Sequence, residues 1–145
     1  MTELERALDE VTEHLAETMF FTTVLNRTGE LGGQPGYTAS IAFSGTRAGA
    51  LRVALPHSTA AALAVSFLGE ADEEEPDARA RALAGELANI LCGSLLGRME
   101  PAGHFTISPP EVTAGTEAPG QPADARRVFT LEEGPLAIAA VWSSQ

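Results

Sequence analysis

Residues 81–93 read Arg-Ala-Leu-Ala-Gly-Glu-Leu-Ala-Asn-Ile-Leu-Cys-Gly. Leu83, Leu87, Ile90, Leu91 and Leu95 recur at the spacing of one helical face. The pattern predicts the middle of the longest helix in the chain, from about Asp77 to Met99, with Pro101 and Gly103 ending it. Beside the aliphatic stripe stand Glu86 and Asn89, three residues apart and therefore neighbours on one face. Ala82 lies one turn before Glu86, and Gly93 one turn after Asn89, so the carboxylate and the amide have little steric shielding. Gly85, Asn89 and Gly93 are poor helix formers, each glycine costing about 1 kcal/mol relative to alanine. Choices that oppose the helix inside so strong a pattern point to packing or function as their reason.

Upstream of this helix, Glu70–Asp77 is an acidic connection holding Pro76, with charge suited to a helix N-terminus. Before it, Ser58 or Thr59 is placed to cap a short helix through Phe67, closed by Gly69. Two strands precede that helix, Tyr37–Phe43 and Leu51–Leu55, joined through Gly45–Gly49 as a hairpin. Residues 28–36, rich in glycine, read as a loop. The chain begins with an amphipathic helix over residues 2 to about 19, where Thr2 and Glu5 have capping-box spacing. Residues 20–25 suit either a last helical turn or an extended connection.

Downstream, Phe105–Ser108 is a short strand broken by Pro109 and Pro110, and residues 113–125 read as a loop. The chain closes on a hairpin, Val128–Leu131 and Leu136–Trp142 about a turn at 132–135. The last arm is apolar or small on both faces, which predicts burial on both sides or a partner on one.

The chain has 145 residues, of which 44% are hydrophobic, enough to bury a core without staples. Nine basic against 20 acidic residues give a net charge of −11, which disfavours nucleic acid and anionic membrane surfaces. A protein partner with a basic or metal-bearing face is compatible with that charge. The acidic N-terminus does not resemble a signal peptide, and no apolar run approaches a spanning helix. The expectation is a soluble, cytoplasmic chain.

His14, His57 and His104 fall on separate elements with no metal-ligand spacing, and no resident cofactor or metal is expected. Cys92, the single cysteine, reads as a small core or interface residue, since no His or cationic neighbour activates it. On chemistry alone, Glu86 and Asn89 fit either a solvated helix face or a functional pair.

The segment Glu-Leu-Ala-Asn-Ile-Leu-Cys-Gly, 86–93, resembles the Glu-X-X-Asn helix of the CheC/CheX/FliY phosphatases of bacterial chemotaxis, most closely the CheX-like branch. Gly45–Pro56 resembles that family's glycine-rich hairpin, Ala60–Glu70 its second helix, and Ser108–Pro110 the proline after its active helix. Where the family often carries Asp or Ser four residues before the glutamate, this chain has Ala82. A single Glu-X-X-Asn is similar to CheX and unlike CheC, which has two.

The resemblance implies dephosphorylation of the aspartyl phosphate of a CheY-like response regulator. The regulator would bring its own Mg²⁺ and lysine. Asn89 would orient the attacking water, Glu86 would dock the lysine, and Ala82 and Gly93 would let the helix approach its partner closely. The alternative is a noncatalytic module that binds a regulator or dimerises. The expected architecture is one α/β domain of the α+β type over residues 1–145, with long helices packed on a largely antiparallel sheet, and the resemblance adds a homodimer.

Overall fold

The first helix forms because its start is chemically specified. Thr2 caps it, accepting from the Glu5 amide at 3.1 Å, while the Glu5 carboxylate accepts from the Thr2 amide at 2.9 Å. These bonds hold the Glu5 carboxyl below its usual range. From this cap α1 runs Glu3–Met19, burying Leu4, Leu8, Val11 and Leu15. The computed structural model describes residues 2–27, 36–68, 76–115 and 123–143.

Of residues 20–25, read as either a last helical turn or an extended connection, Phe20 caps α1 and Phe21 turns the chain at φ +54, and the chain then enters a short strand β1 at Val24–Asn26. The two strands expected next are longer than their hydrophobic cores suggest: β2 spans Gly36–Gly45 and β3 spans Ala48–Pro56. Their turn is thus only Thr46 and Arg47. Gly45 takes φ +127, and a Cβ there would sit 2.2 Å from the His104 carbonyl oxygen. Of the loop read over 28–36, Gly36 begins β2 and the rest lies outside the described residues.

Helix α2, His57–Leu68, starts directly after Pro56. Neither Ser58 nor Thr59 stands before it as a cap. Thr59 is fully buried inside its first turn, beside Gly134. The acidic connection lies outside the described residues up to Pro76, which opens α3, Pro76–Met99, in the first-turn position proline favours.

After β4, Phe105–Ile107, the chain passes Pro109 and Pro110 and resumes as a strand, β5, at Glu111–Ala114. This corrects the loop expected over 113–125: its first residues pair with β2 and Ala125 opens β6. Strands β6, Ala125–Leu131, and β7, Gly134–Ser143, form the terminal hairpin.

All pairings are antiparallel. The strand order is β1-β6-β7-β3-β2-β4, with β5 pairing the other stretch of β2. One face of the sheet packs against the three helices through Ile41, Leu51, Val53, Phe129, Leu136 and Ile138. Leu83, Leu87, Leu91 and Leu95 of α3 meet them from the helix layer. This is the expected α+β architecture, two layers with a fully antiparallel sheet.

The register decides what the second face of β7 does. Ala139 pairs with Arg52 on one side and Arg126 on the other, and Ala137 with Ala54 and Val128. These alanines are half-buried on the outer face, flanked by neighbouring strands and outside the core cluster of the described residues. At Gly49 there is no room for a side chain: a Cβ would lie 2.0 Å from the Val141 carbonyl oxygen and 2.7 Å from Phe43 Cζ. The obstacle is backbone, so only separation of β3 from β7 relieves it. Gly49→Ala is expected to destabilise the fold by about 2 kcal/mol, read as a lower urea midpoint. A midpoint equal to wild type would show that the strands yield freely.

Candidate functional site

Helix α3 has 24 residues, a length of about 36 Å. Its aliphatic stripe is spent on the core, with Leu83, Leu87, Leu91 and Leu95 at 1% exposure or less. Ala84, Ala88 and Cys92 are buried as well, so the remaining solvent face is narrow. On it lie Ala82, Glu86, Asn89, Gly93 and Gly97, all exposed.

Glu86 and Asn89 are therefore side by side on an open ridge, with Cβ atoms about 5–6 Å apart by helical geometry. Neither makes a side-chain hydrogen bond or ion pair to another described residue. A carboxylate and an amide not engaged by the other described residues are available to something else.

The small neighbours behave differently from one another. A Cβ on Gly85 would meet Val112 Cγ2 at 3.4 Å and Pro110 Cγ at 3.5 Å, so this glycine lies beneath the β5 segment. A Cβ on Gly93 would meet nothing within 4 Å. Packing within the described chain gives no reason for glycine at 93. Gly93→Ala is expected to stabilise the protein by about 1 kcal/mol in urea unfolding. Failure to stabilise would mean that the glycine serves the fold after all.

Beside Glu86 the ridge falls into a groove of about 570 Å³ lined by Ala78, Ala82, Gly85, Pro110 and Val112. Arg81 stitches its walls together, donating to the Val112 carbonyl at 2.6 Å with its guanidinium 5.9 Å from the Tyr37 ring centroid. This wall is not legible in the sequence, because β5 follows two prolines and its last residues have the composition of a loop. Cys92, next to Gly93, faces inward, and burial pushes its thiol up to about 11. Among the described residues no group of three or more His, Cys, Asp or Glu could hold a metal ion. No helix among them is long and apolar enough to cross a membrane. His57 does have an acidic neighbour, Asp77, at 2.5 Å, but on the surface and away from the pair.

Residues 37–132, about two thirds of the chain, match the family of the chemotaxis phosphatase CheX. The chain belongs to the CheX family. The match spans β2 through β6 and includes the whole of α3. No curated protein matches the chain.

Solved CheX structures share its fold. CheX from Vibrio vulnificus superposes with a TM-score of 0.77 at 15% identity, covering 98% of this chain and 97% of that one. CheX from Desulfovibrio desulfuricans gives 0.75 at 16% identity over 98% and 100%. The Borrelia burgdorferi structure, a CheX–CheY–BeF3–Mg²⁺ complex, gives 0.73 at 14% identity over 99% and 100%. At such identities the likeness is one of fold.

Proposed function

We propose that this CheX-family chain hydrolyses the aspartyl phosphate of a CheY-like response regulator, with Asn89 orienting the attacking water and Glu86 docking the regulator's lysine. The observation that carries the reading is the exposed, unengaged Glu86–Asn89 pair on the ridge of α3. The Borrelia complex of a fold relative with CheY supports the choice of partner.

The chemistry asks little of the phosphatase. Water attacks phosphorus in line, the acyl phosphate P–O bond breaks, and aspartate and inorganic phosphate leave. In this reading the regulator supplies Mg²⁺ and a lysine against the phosphoryl charge. What remains is to place the water, which an amide does by accepting from one water hydrogen while donating to oxygen. Asn89 has that pair of functions and does not titrate. The Glu86 carboxylate accepts from an ammonium in a charge-assisted bond that sets the register of the two proteins. Ala82 and Gly93 leave room for the regulator's backbone against the ridge.

The reading takes residues 1–145 as one domain and places the chain in the cytoplasm, with its substrate. It also includes a homodimer.

The test is phosphate release from a phosphorylated CheY-like regulator in Mg²⁺, for wild type, Glu86→Ala and Asn89→Ala. Acceleration by wild type that Asn89→Ala loses supports catalysis. Binding without acceleration by wild type makes the chain a noncatalytic regulator-binding module instead.

A further inference from the structure

Residues spaced by four on α3, namely Ala78, Ala82, Glu86, Ile90, Ser94 and Arg98, form one row. Each step of four overshoots a full turn by about 40°, so the row crosses the helix face on a slant. Ala78 and Ala82 line the groove against β5. Ile90, Ser94 and Arg98 line a second groove, about 580 Å³, whose other wall is α1. Glu86 sits between the two halves, so the α1 groove continues the surface on which the phosphatase reading rests.

The α1 groove has an apolar floor and a polar end. Val11, Leu15 and Ile90 supply the first, and His14 and Arg98 stand among its other lining residues, Arg98 ion-paired with Glu10. Met19, at the end of α1, lines the groove and is 37% exposed.

Two residues on, Phe21 is 81% exposed with φ +54. It follows the helix C-cap Phe20, and the Thr22 amide closes the turn by donating to the Ala16 carbonyl at 2.9 Å. Glycine is the ordinary residue at such a left-handed position. Phe20 beside it is buried against Phe67, ring centroids 5.2 Å apart. The core thus takes one phenylalanine, while the turn spends backbone strain to hold the other in solvent.

We propose that the α1–α3 groove, with Met19 and Phe21 at the end of α1, is the second half of the regulator-docking surface and receives an apolar segment of the same regulator that Glu86 engages. The proposal rests on the phosphatase reading. The occupant follows from the slanted row: the α3 wall of the groove begins one turn from Glu86. A second copy seated stably there would crowd the ridge and obstruct the regulator. A regulator that reaches Glu86 has the groove directly in its path.

Ser94→Trp fills the groove from an exposed helix position, and Phe21→Gly removes the exposed ring while relieving the turn. Both should fold, with thermal midpoints at or above wild type for Phe21→Gly. Initial rates of phosphate release are measured against regulator concentration, using CheY-like regulators of the same cell charged with acetyl phosphate and Mg²⁺. Binding is measured with the beryllofluoride form. Each variant is expected to raise KM and Kd about tenfold with kcat within about twofold of wild type.

KM and Kd unchanged in both variants would overturn the groove proposal and leave the phosphatase reading standing. A wild type that neither binds nor dephosphorylates any of these regulators overturns that reading and this proposal together. If Ser94→Trp instead changes the sedimentation of the protein alone, with KM unchanged, the groove belongs to a second copy and the proposal fails.

Discussion

Asn89→Ala is expected to lower kcat for phosphate release about 100-fold while leaving the Kd for the beryllofluoride regulator within about twofold. The size follows from what is lost. A misplaced water forfeits alignment, and small errors in alignment at a reacting centre cost about two orders of magnitude. The specificity follows from the structure. Asn89 is exposed and bonds to no other described residue, so its truncation leaves no orphaned group. Alanine is also the better helix former, by roughly 0.6 kcal/mol. A fall in rate therefore cannot be blamed on unfolding, and a urea midpoint at or above wild type is part of the expected result. Because an amide does not titrate, the deficit should not vary with pH across the neutral range. Glu86→Ala should behave in the opposite way, raising KM and leaving kcat near wild type at saturation. If Asn89→Ala keeps wild-type kcat, water positioning by this residue is wrong.

The second large effect is structural. Asp9→Ala is expected to destabilise the protein by about 3 kcal/mol. Asp9, on α1, is 4% exposed and accepts two bonds from Arg127 of β6, at 2.7 Å from Nε and 2.9 Å from Nη2. The fork-on-carboxylate geometry ties the helix layer to a strand beneath it. Truncation leaves a guanidinium whose side chain is only 20% exposed without its counter-charge, and that desolvated charge dominates the loss. The diagnostic is the double variant. Asp9→Ala with Arg127→Leu should recover much of the stability, since no unpaired charge remains. Urea midpoints for wild type, Asp9→Ala, Arg127→Leu and the double variant decide the matter. A single variant within about 1 kcal/mol of wild type would mean that water reaches Arg127 and the pair is ordinary surface chemistry.

The contrast between these residues shows what a linear reading can reach. The juxtaposition of Glu86 and Asn89 was legible because they stand three residues apart on a helix whose aliphatic spacing is unambiguous. The capping box at Thr2 and Glu5 was legible for the same local reason. Asp9 and Arg127 are 118 residues apart, and nothing local marks either. The short strands failed where composition competes with tertiary pairing. β5 follows two prolines and ends in Thr113 and Ala114, which read as loop until β2 offers them a ladder. The cap at Ser58 or Thr59 failed because β3 runs straight into α2, so that Thr59 is packed into the core and not at the helix end. Both grooves beside the ridge depend on elements far from α3 in sequence, and only the fold brings those walls to it.

Cys92 turns the site helix into its own clock. The thiol lies 1% exposed, on the residue before Gly93, and burial pushes it up to about 11, which disfavours the reactive thiolate. Labelling of it by an alkylating reagent is expected to await an opening of the packing around α3. As the only cysteine, it gives a single-site signal. The labelling rate then measures how often the helix that carries Glu86 and Asn89 opens, and a regulator seated on the ridge would lengthen that interval in proportion to its occupancy.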